Sequence, residues 1–105
     1  MGYNALVAKR KVRFAPEAVR QLRKLRAAER SRETDAIGTS LGEDDAAITS
    51  KNRFPLRRPS AYGAFELRVG DFRVFYRIVE DEVRVTVIGR KVGNQLLISD
   101  KRVIL

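Results

Sequence analysis

Phe65-Glu66-Leu67-Arg68-Val69-Gly70-Asp71-Phe72-Arg73-Val74-Phe75-Tyr76 is the stretch whose reading decides the fold. Apolar and polar residues alternate on both sides of Gly70-Asp71, which is the period of a half-buried strand. A Gly-Asp pair between two such runs reads as a tight hairpin turn. That loop length sets the register, with Val69 opposite Phe72 and Arg68 opposite Arg73. The alternation continues through Tyr76 and Ile78 and turns at Glu80-Asp81. It resumes with Val83, Val85 and Val87 against Arg84, Thr86 and Ile88. The second short turn sets Arg77 opposite Arg84 and keeps Ile78 and Val83 on one face. The three runs form an antiparallel meander with one buried face and one polar face.

Upstream the period changes. A short strand over Lys11 to Phe14 precedes Ala15-Pro16-Glu17, where proline at a first helical position and an acid in the first turn announce a helix. Ala18, Val19, Leu22 and Leu25 then make one apolar stripe, with Arg20, Arg23, Lys24 and Arg26 on the other face. A second helix is expected around Ala28 to Leu41, with Ala28, Ala36, Ile37 and Leu41 toward the core and Gly42 at its end. Glu43 to Ser60, including Pro59, reads as a long connection with an acidic start at Glu43, Asp44 and Asp45, taken as a solvated loop. After Lys91, a turn at Gly93-Asn94 leads to Leu96, Leu97, Ile98, Val103 and Ile104, which suit a last strand. The expected fold class is α+β: an N-terminal strand and one or two helices packed on an antiparallel meander. Residues 1–105 are read as a single domain.

Composition narrows the chemistry. The chain of 105 residues has no cysteine and no histidine, which excludes disulfides, thiolate or imidazole metal sites, and histidine-based acid–base catalysis. No metal and no cofactor is expected. There is no apolar run long enough for a bilayer, and Leu6 and Val7 are too isolated for a signal peptide, so no membrane partner is expected and the cytoplasm is the expected compartment. The 22 Lys and Arg against 13 Asp and Glu give a formal charge of +9. Sixteen of those basic residues are arginine, whose planar fork suits phosphate.

The hairpin register concentrates this charge. Arg68, Arg73, Arg77 and Arg84 fall on one sheet face, with Glu66 as the only internal counter-charge. Like charges facing across strands are destabilising, so on sequence grounds removing Arg73 relieves repulsion from Arg68. A grid of guanidinium groups accepts phosphates bidentately and equally suits an anionic protein segment. Lys51, Arg53, Arg57 and Arg58 are read as extending this RNA-binding surface. Phe75, on the arginine face, and Tyr62, at a loop edge, are candidates for stacking unpaired bases.

The stretch from Phe65 to Tyr76 resembles the central hairpin of the RelE/ParE toxin superfamily. Val12-Arg13-Phe14-Ala15-Pro16-Glu17-Ala18 resembles that family's first strand and helix start. Val85 to Ile88 followed by Gly89-Arg90-Lys91 resembles its last core strand and the basic segment after it. The resemblance implies the toxin half of a type II toxin–antitoxin pair, neutralised by a cognate antitoxin that is expected to be acidic. RelE-like members cleave mRNA on the ribosome, and ParE-like members inhibit DNA gyrase. The expectation is a RelE-like, metal-independent endoribonuclease, with a ParE-like gyrase inhibitor or an inactive relative kept for RNA and antitoxin binding as the alternatives. DNA itself is met only through the antitoxin complex. By resemblance to the nucleases, Arg73 is an active-site residue and Lys91 a second, with Arg68 and Glu66 completing the catalytic set. Arg90, Arg77 and Arg84 are assigned to RNA binding. Two departures stand out: Ala64 and Glu66 occupy positions where some nucleases carry lysines, and Leu97 stands where they carry a tyrosine.

Overall fold

The Gly70-Asp71 hairpin forms in the expected register. The computed structural model describes residues 9–58 and 60–104, so Leu6, Val7 and Pro59 lie outside the described residues. In chain order the elements are β1 (Lys11–Phe14), α1 (Pro16–Arg23), α2 (Ala27–Ile37), a π-helical turn (Gly38–Glu43), β2 (Arg53–Pro55), β3 (Phe65–Val69), β4 (Phe72–Val79), β5 (Glu82–Val92), β6 (Gln95–Ile98) and β7 (Lys101–Val103). Arg68 faces Arg73 and Val69 faces Phe72 across β3 and β4. Gly70 takes φ +57° at the first turn position, where a left-handed residue matches the twist of the flanking strands.

The sheet runs β2-β3-β4-β5-β6-β7, and the far edge of β5 also pairs in parallel with β1. β5 is long enough to bond β1 through Glu82–Val85 and β6 through Arg90–Val92. This is the expected α+β architecture, with more sheet than the sequence announced. Within the long connection, β2 adds an edge strand to β3. The tail forms a hairpin instead of one strand, because Ser99 and Asp100 both take positive φ (52° and 64°) and turn the chain back.

One sheet face carries Leu67, Phe72, Val74, Tyr76, Val83, Val85 and Ile88 into a core with Ala18, Ile37, Leu41 and Ala46. Each large side chain buried there stabilises by roughly 1.5–3 kcal/mol. Tyr76 stacks on Phe65 at 5.1 Å, and its hydroxyl donates to the Ala46 carbonyl at 2.8 Å. Burial pushes its phenol pKa well up. No helix of the described residues is long and apolar enough to cross a membrane.

The strict alternation expected along β5 breaks at one place. Phe75 pairs with Val87 but Tyr76 pairs with Val85, so Thr86 is an extra residue, a β-bulge. Its hydroxyl, with one proton to give, lies within hydrogen-bond reach of the Phe75 carbonyl at 3.0 Å and of the Tyr62 carbonyl. Beyond the bulge the parity inverts. Ile88, expected on the polar face, enters the core, while Val87 takes the other side.

The second helix corrects a further expectation. Ile37 and Leu41 are buried as expected, but Ala28 is exposed and the coil widens to a π-helical turn from Gly38 onward. A charged residue enters instead: Glu33 is 1% exposed, and its Oε1 has no hydrogen-bond partner among the described residues. Burial pushes its carboxyl up to about 7, against a smaller opposing pull from Arg32 and Arg90. An unfolded chain releases this proton near pH 4.5 while the fold holds it to about 7, so stability falls as pH rises through that window. Glu33→Gln is therefore expected to be the more stable protein at pH 8, by something on the order of 2–3 kcal/mol, with the gap closing toward pH 5. Thermal melts of both proteins across this range check it; parallel pH profiles would contradict it.

Candidate functional site

The face of the sheet opposite the helices is where the hairpin puts its arginines, but it is not one continuous grid. The loop Ser60–Gly63 folds back over β4. Arg77 donates from Nη2 to the Ser60 carbonyl at 2.6 Å, and Thr86 reaches Tyr62 from the other side. Gly63 lies so close to β4 that an added Cβ would stand 3.2 Å from the Phe75 Cβ and 3.0 Å from the Tyr76 nitrogen. Phe75 is 0% exposed beneath this strap. It therefore has no face to offer a base, contrary to the stacking role considered from sequence. Tyr62 serves the strap through its backbone.

The strap divides the arginines in two. On one side, Arg77 and Arg84 face each other in the expected register. Arg84 donates to Glu82 at 2.9 Å, and Arg13 shares the same carboxylate at 2.5 Å. Arg84 and Arg13 hold the Glu82 carboxyl below its usual range. On the other side, Arg68, Arg73, Glu66 and Lys91 line one small cavity of about 150 Å³, with Asn94 and Leu96.

This cavity is built from four strands, β3 to β6, and the turn at Asn94. Glu66 on β3 is 7% exposed and takes the Arg68 Nε at 2.8 Å, with the Arg73 Nε 3.7 Å away. Arg73 on β4 donates from Nη1 to the carbonyls of Gly70 (2.7 Å) and Phe72 (3.0 Å), which locks its guanidinium against the turn. Arg68 lies over the Phe54 ring at 4.8 Å, so β2 supports it from the edge. Lys91 arrives from β5, exposed, and makes no ion pair among the described residues. The facing arginines are thus bridged by a buried carboxylate, so the repulsion anticipated from sequence is largely offset.

Lys91 and Arg90 part company. The bulge turns Lys91 to the arginine face and Arg90 to the helix side, where Arg90 stacks over Phe72 at 4.5 Å and meets Glu29 at 3.4 Å. Arg53 is also placed away from the expected surface. It is 8% exposed, donating to the Ile48 carbonyl at 2.8 Å and the Ser40 carbonyl at 2.7 Å. Asp44 and Asp45 are not a merely solvated run, since they meet Arg53 (3.7 Å) and Arg10 (2.6 Å). Lys51, Arg57 and Arg58 remain exposed. Asn94 and Leu96 read from sequence only as turn and strand residues, not as part of the site. The Gly93-Asn94 turn was the signal available, because a tight turn there folds Leu96 back beside Lys91.

The described residues contain no group of His, Cys, Asp and Glu side chains able to hold a metal ion. The cavity offers one carboxylate, two guanidinium groups and one ammonium. That set can bind a phosphate, neutralise charge that develops on it, and accept or donate a proton at Glu66 or Lys91.

Residues 12–91 match the family model described as ParE toxin of type II toxin-antitoxin system, parDE. No curated protein matches the chain. Because Arg73 braces the turn and faces a carboxylate, Arg73→Ala is expected to lower stability by about 1–2 kcal/mol rather than raise it, while leaving a folded domain. Chemical denaturation of the variant checks this, and a more stable Arg73→Ala would contradict it.

Proposed function

The chain belongs to the ParE toxin family of type II toxin–antitoxin systems, and from that premise we propose that it arrests translation as a RelE-like endoribonuclease, cutting mRNA held on the ribosome. The observation that carries this reading is the convergence of Glu66, Arg68, Arg73 and Lys91 on one cavity. An RNA phosphate docks against Arg73 and Arg68, whose charge offsets the negative charge that builds on the phosphoryl oxygens in the transition state. Glu66 takes the proton of the 2′-hydroxyl, whose oxygen attacks the adjacent phosphorus. The bond to the 5′-oxygen breaks, and Lys91 gives that oxygen its proton. The products are a 2′,3′-cyclic phosphate and a 5′-hydroxyl, with no metal and no cofactor.

Arginine serves here for charge and position, since a group with a pKa above about 12 is a poor proton donor. Glu66 is 7% exposed and already bonded to Arg68, so it is a restrained base. Free RNA is accordingly a poor substrate in this reading, and alignment of the 2′-hydroxyl on the phosphate comes from the ribosome. Lys51, Arg57, Arg58, Arg77 and Arg84 extend the contact along the RNA backbone. Membership of the family implies an antitoxin partner. We place its acidic side chains over Arg68, Arg73 and Lys91, where they would exclude mRNA.

The second reading is the ParE-like one, which shares its name with the matched family model: in it the chain inhibits DNA gyrase without chemistry of its own. Three incubations separate the two: purified protein with mRNA alone, with mRNA on programmed ribosomes, and with gyrase and plasmid. The expected result is codon-phased cutting on ribosomes only, abolished in Arg73→Ala and Lys91→Met. Intact mRNA in both RNA reactions, with supercoiling blocked, would replace the nuclease reading with the gyrase one.

A further inference from the structure

Across the sheet from this site, α2 and the Gly70-Asp71 turn enclose a cleft of about 410 Å³. Glu29, Arg32 and Glu33 line it from the helix, Val69 and Asp71 from the turn, and Phe72 with Arg90 from the strands. In a chain of 22 basic and 13 acidic residues, this is a place where acids outnumber bases. Arg90 is already matched, to Glu29 at 3.4 Å and to the Phe72 ring. Arg32 also lines the cleft but is exposed. Glu33 is the anomaly: 1% exposed, at the cleft wall, with Oε1 lacking any partner among the described residues.

Buried carboxyl oxygens without partners are uncommon in folded proteins, and each calls for a physical explanation. Nothing among the described residues uses this one. Its burial costs stability above neutrality, as its raised titration near pH 7 indicates. A cation entering the cleft would find a desolvated acceptor, an apolar wall of Val69 and Phe72 for an alkyl stem, and Asp71 at the rim. An anion would meet the Glu33, Glu29 and Asp71 carboxylates instead.

We propose that this cleft is a docking pocket for the side chain of a basic residue, arginine or lysine, of the protein partner, with Glu33 as its counter-ion. The proposal rests on the family reading only in naming that partner as the antitoxin. It gives the antitoxin two opposite tasks: acidic residues on the arginine face and one basic anchor behind the hairpin. Glu33 must be ionised to hold the anchor. The other charges facing it are Glu29 and Arg32 on α2, Arg90 on β5 and Asp71 at the turn. Glu29 opposes ionisation, while Arg32 and Arg90 favour it. Binding therefore takes a proton from Glu33 and weakens as pH falls below about 7.

The test titrates N-acetyl-arginine methylamide into carbon-13-labelled protein and follows the Glu33 carboxyl by NMR, with N-acetyl-citrulline methylamide as the uncharged control. The expected result is saturable binding of the arginine probe and a Glu33 titration midpoint moved down. Affinity should drop by about tenfold or more in Glu33→Gln, and citrulline should have no effect. A citrulline response equal to that of arginine, or undiminished arginine binding in Glu33→Gln, overturns the pocket. In a complex with the cognate antitoxin, one antitoxin Arg→Ala or Lys→Ala change should weaken wild-type binding about tenfold and Glu33→Gln binding not at all. If no basic residue couples to Glu33, the assignment to the antitoxin fails. Absence of any complex would instead strike the toxin reading, leaving the probe titration to decide the pocket.

Discussion

A single extra residue in β5 sets the parity of everything after it. Thr86 stands unpaired between Val85 and Val87, so the even-numbered positions beyond it turn toward the helices and the odd-numbered ones away. Ile88 reaches the core and Arg90 the helix side, and Lys91 joins Arg68, Arg73 and Glu66. Without the bulge, regular alternation from Val83 would bury Lys91 and put Arg90 at the cavity. The Thr86 hydroxyl ties the irregularity to the Phe75 carbonyl and to the Ser60–Gly63 strap, so one device shapes both the sheet and its cover. Bulges often re-aim side chains in this way near functional sites.

Charge organises the remainder. Two guanidinium groups facing across a hairpin are tolerable because Glu66 sits between them, largely buried, where its attraction is less screened than at the surface. The same carboxylate holds the arginines in place before a ligand arrives, so little reorganisation is needed when a phosphate docks. Elsewhere acids play a quieter part. Glu82 bridges Arg13 and Arg84, joining β1 to the end of β5, and Asp44 and Asp45 pin Arg53 and Arg10. Among the described residues Glu33 is the buried acid left without such a partner, and it lines a cleft on the helix side of the sheet.

Much of this was legible in the residues. Gly70-Asp71 determined the turn, and the turn determined the Arg68–Arg73 and Arg77–Arg84 pairs. Pro16 and Glu17 marked the start of α1, and the apolar stripe of Ala18 and Leu22 marked the face it buries. What escaped the sequence has physical reasons. A bulge is specified by packing around Thr86, and one threonine in a valine-rich strand carries no periodic signal. Arg53 looks like any surface arginine until Ser40 and Ile48 bring their carbonyls to it. The Ser99-Asp100 turn lacks the glycine that usually announces left-handed backbone. Glu33 hides among the charged residues of α2, because helix periodicity is judged by apolar positions and this buried position is not apolar.

The central claim is that the bulge gathers Lys91 with Arg68 and Arg73 into one phosphate-binding site and sends Arg90 elsewhere. The most direct measurement titrates a short 2′-O-methyl RNA, which cannot be cleaved, into nitrogen-15-labelled protein and follows the arginine Nε and lysine Nζ resonances. The account predicts that Arg68, Arg73 and Lys91 shift together along one binding curve while Arg90 stays in place. Movement of Arg90 with Arg73, with Lys91 unaffected, would contradict it.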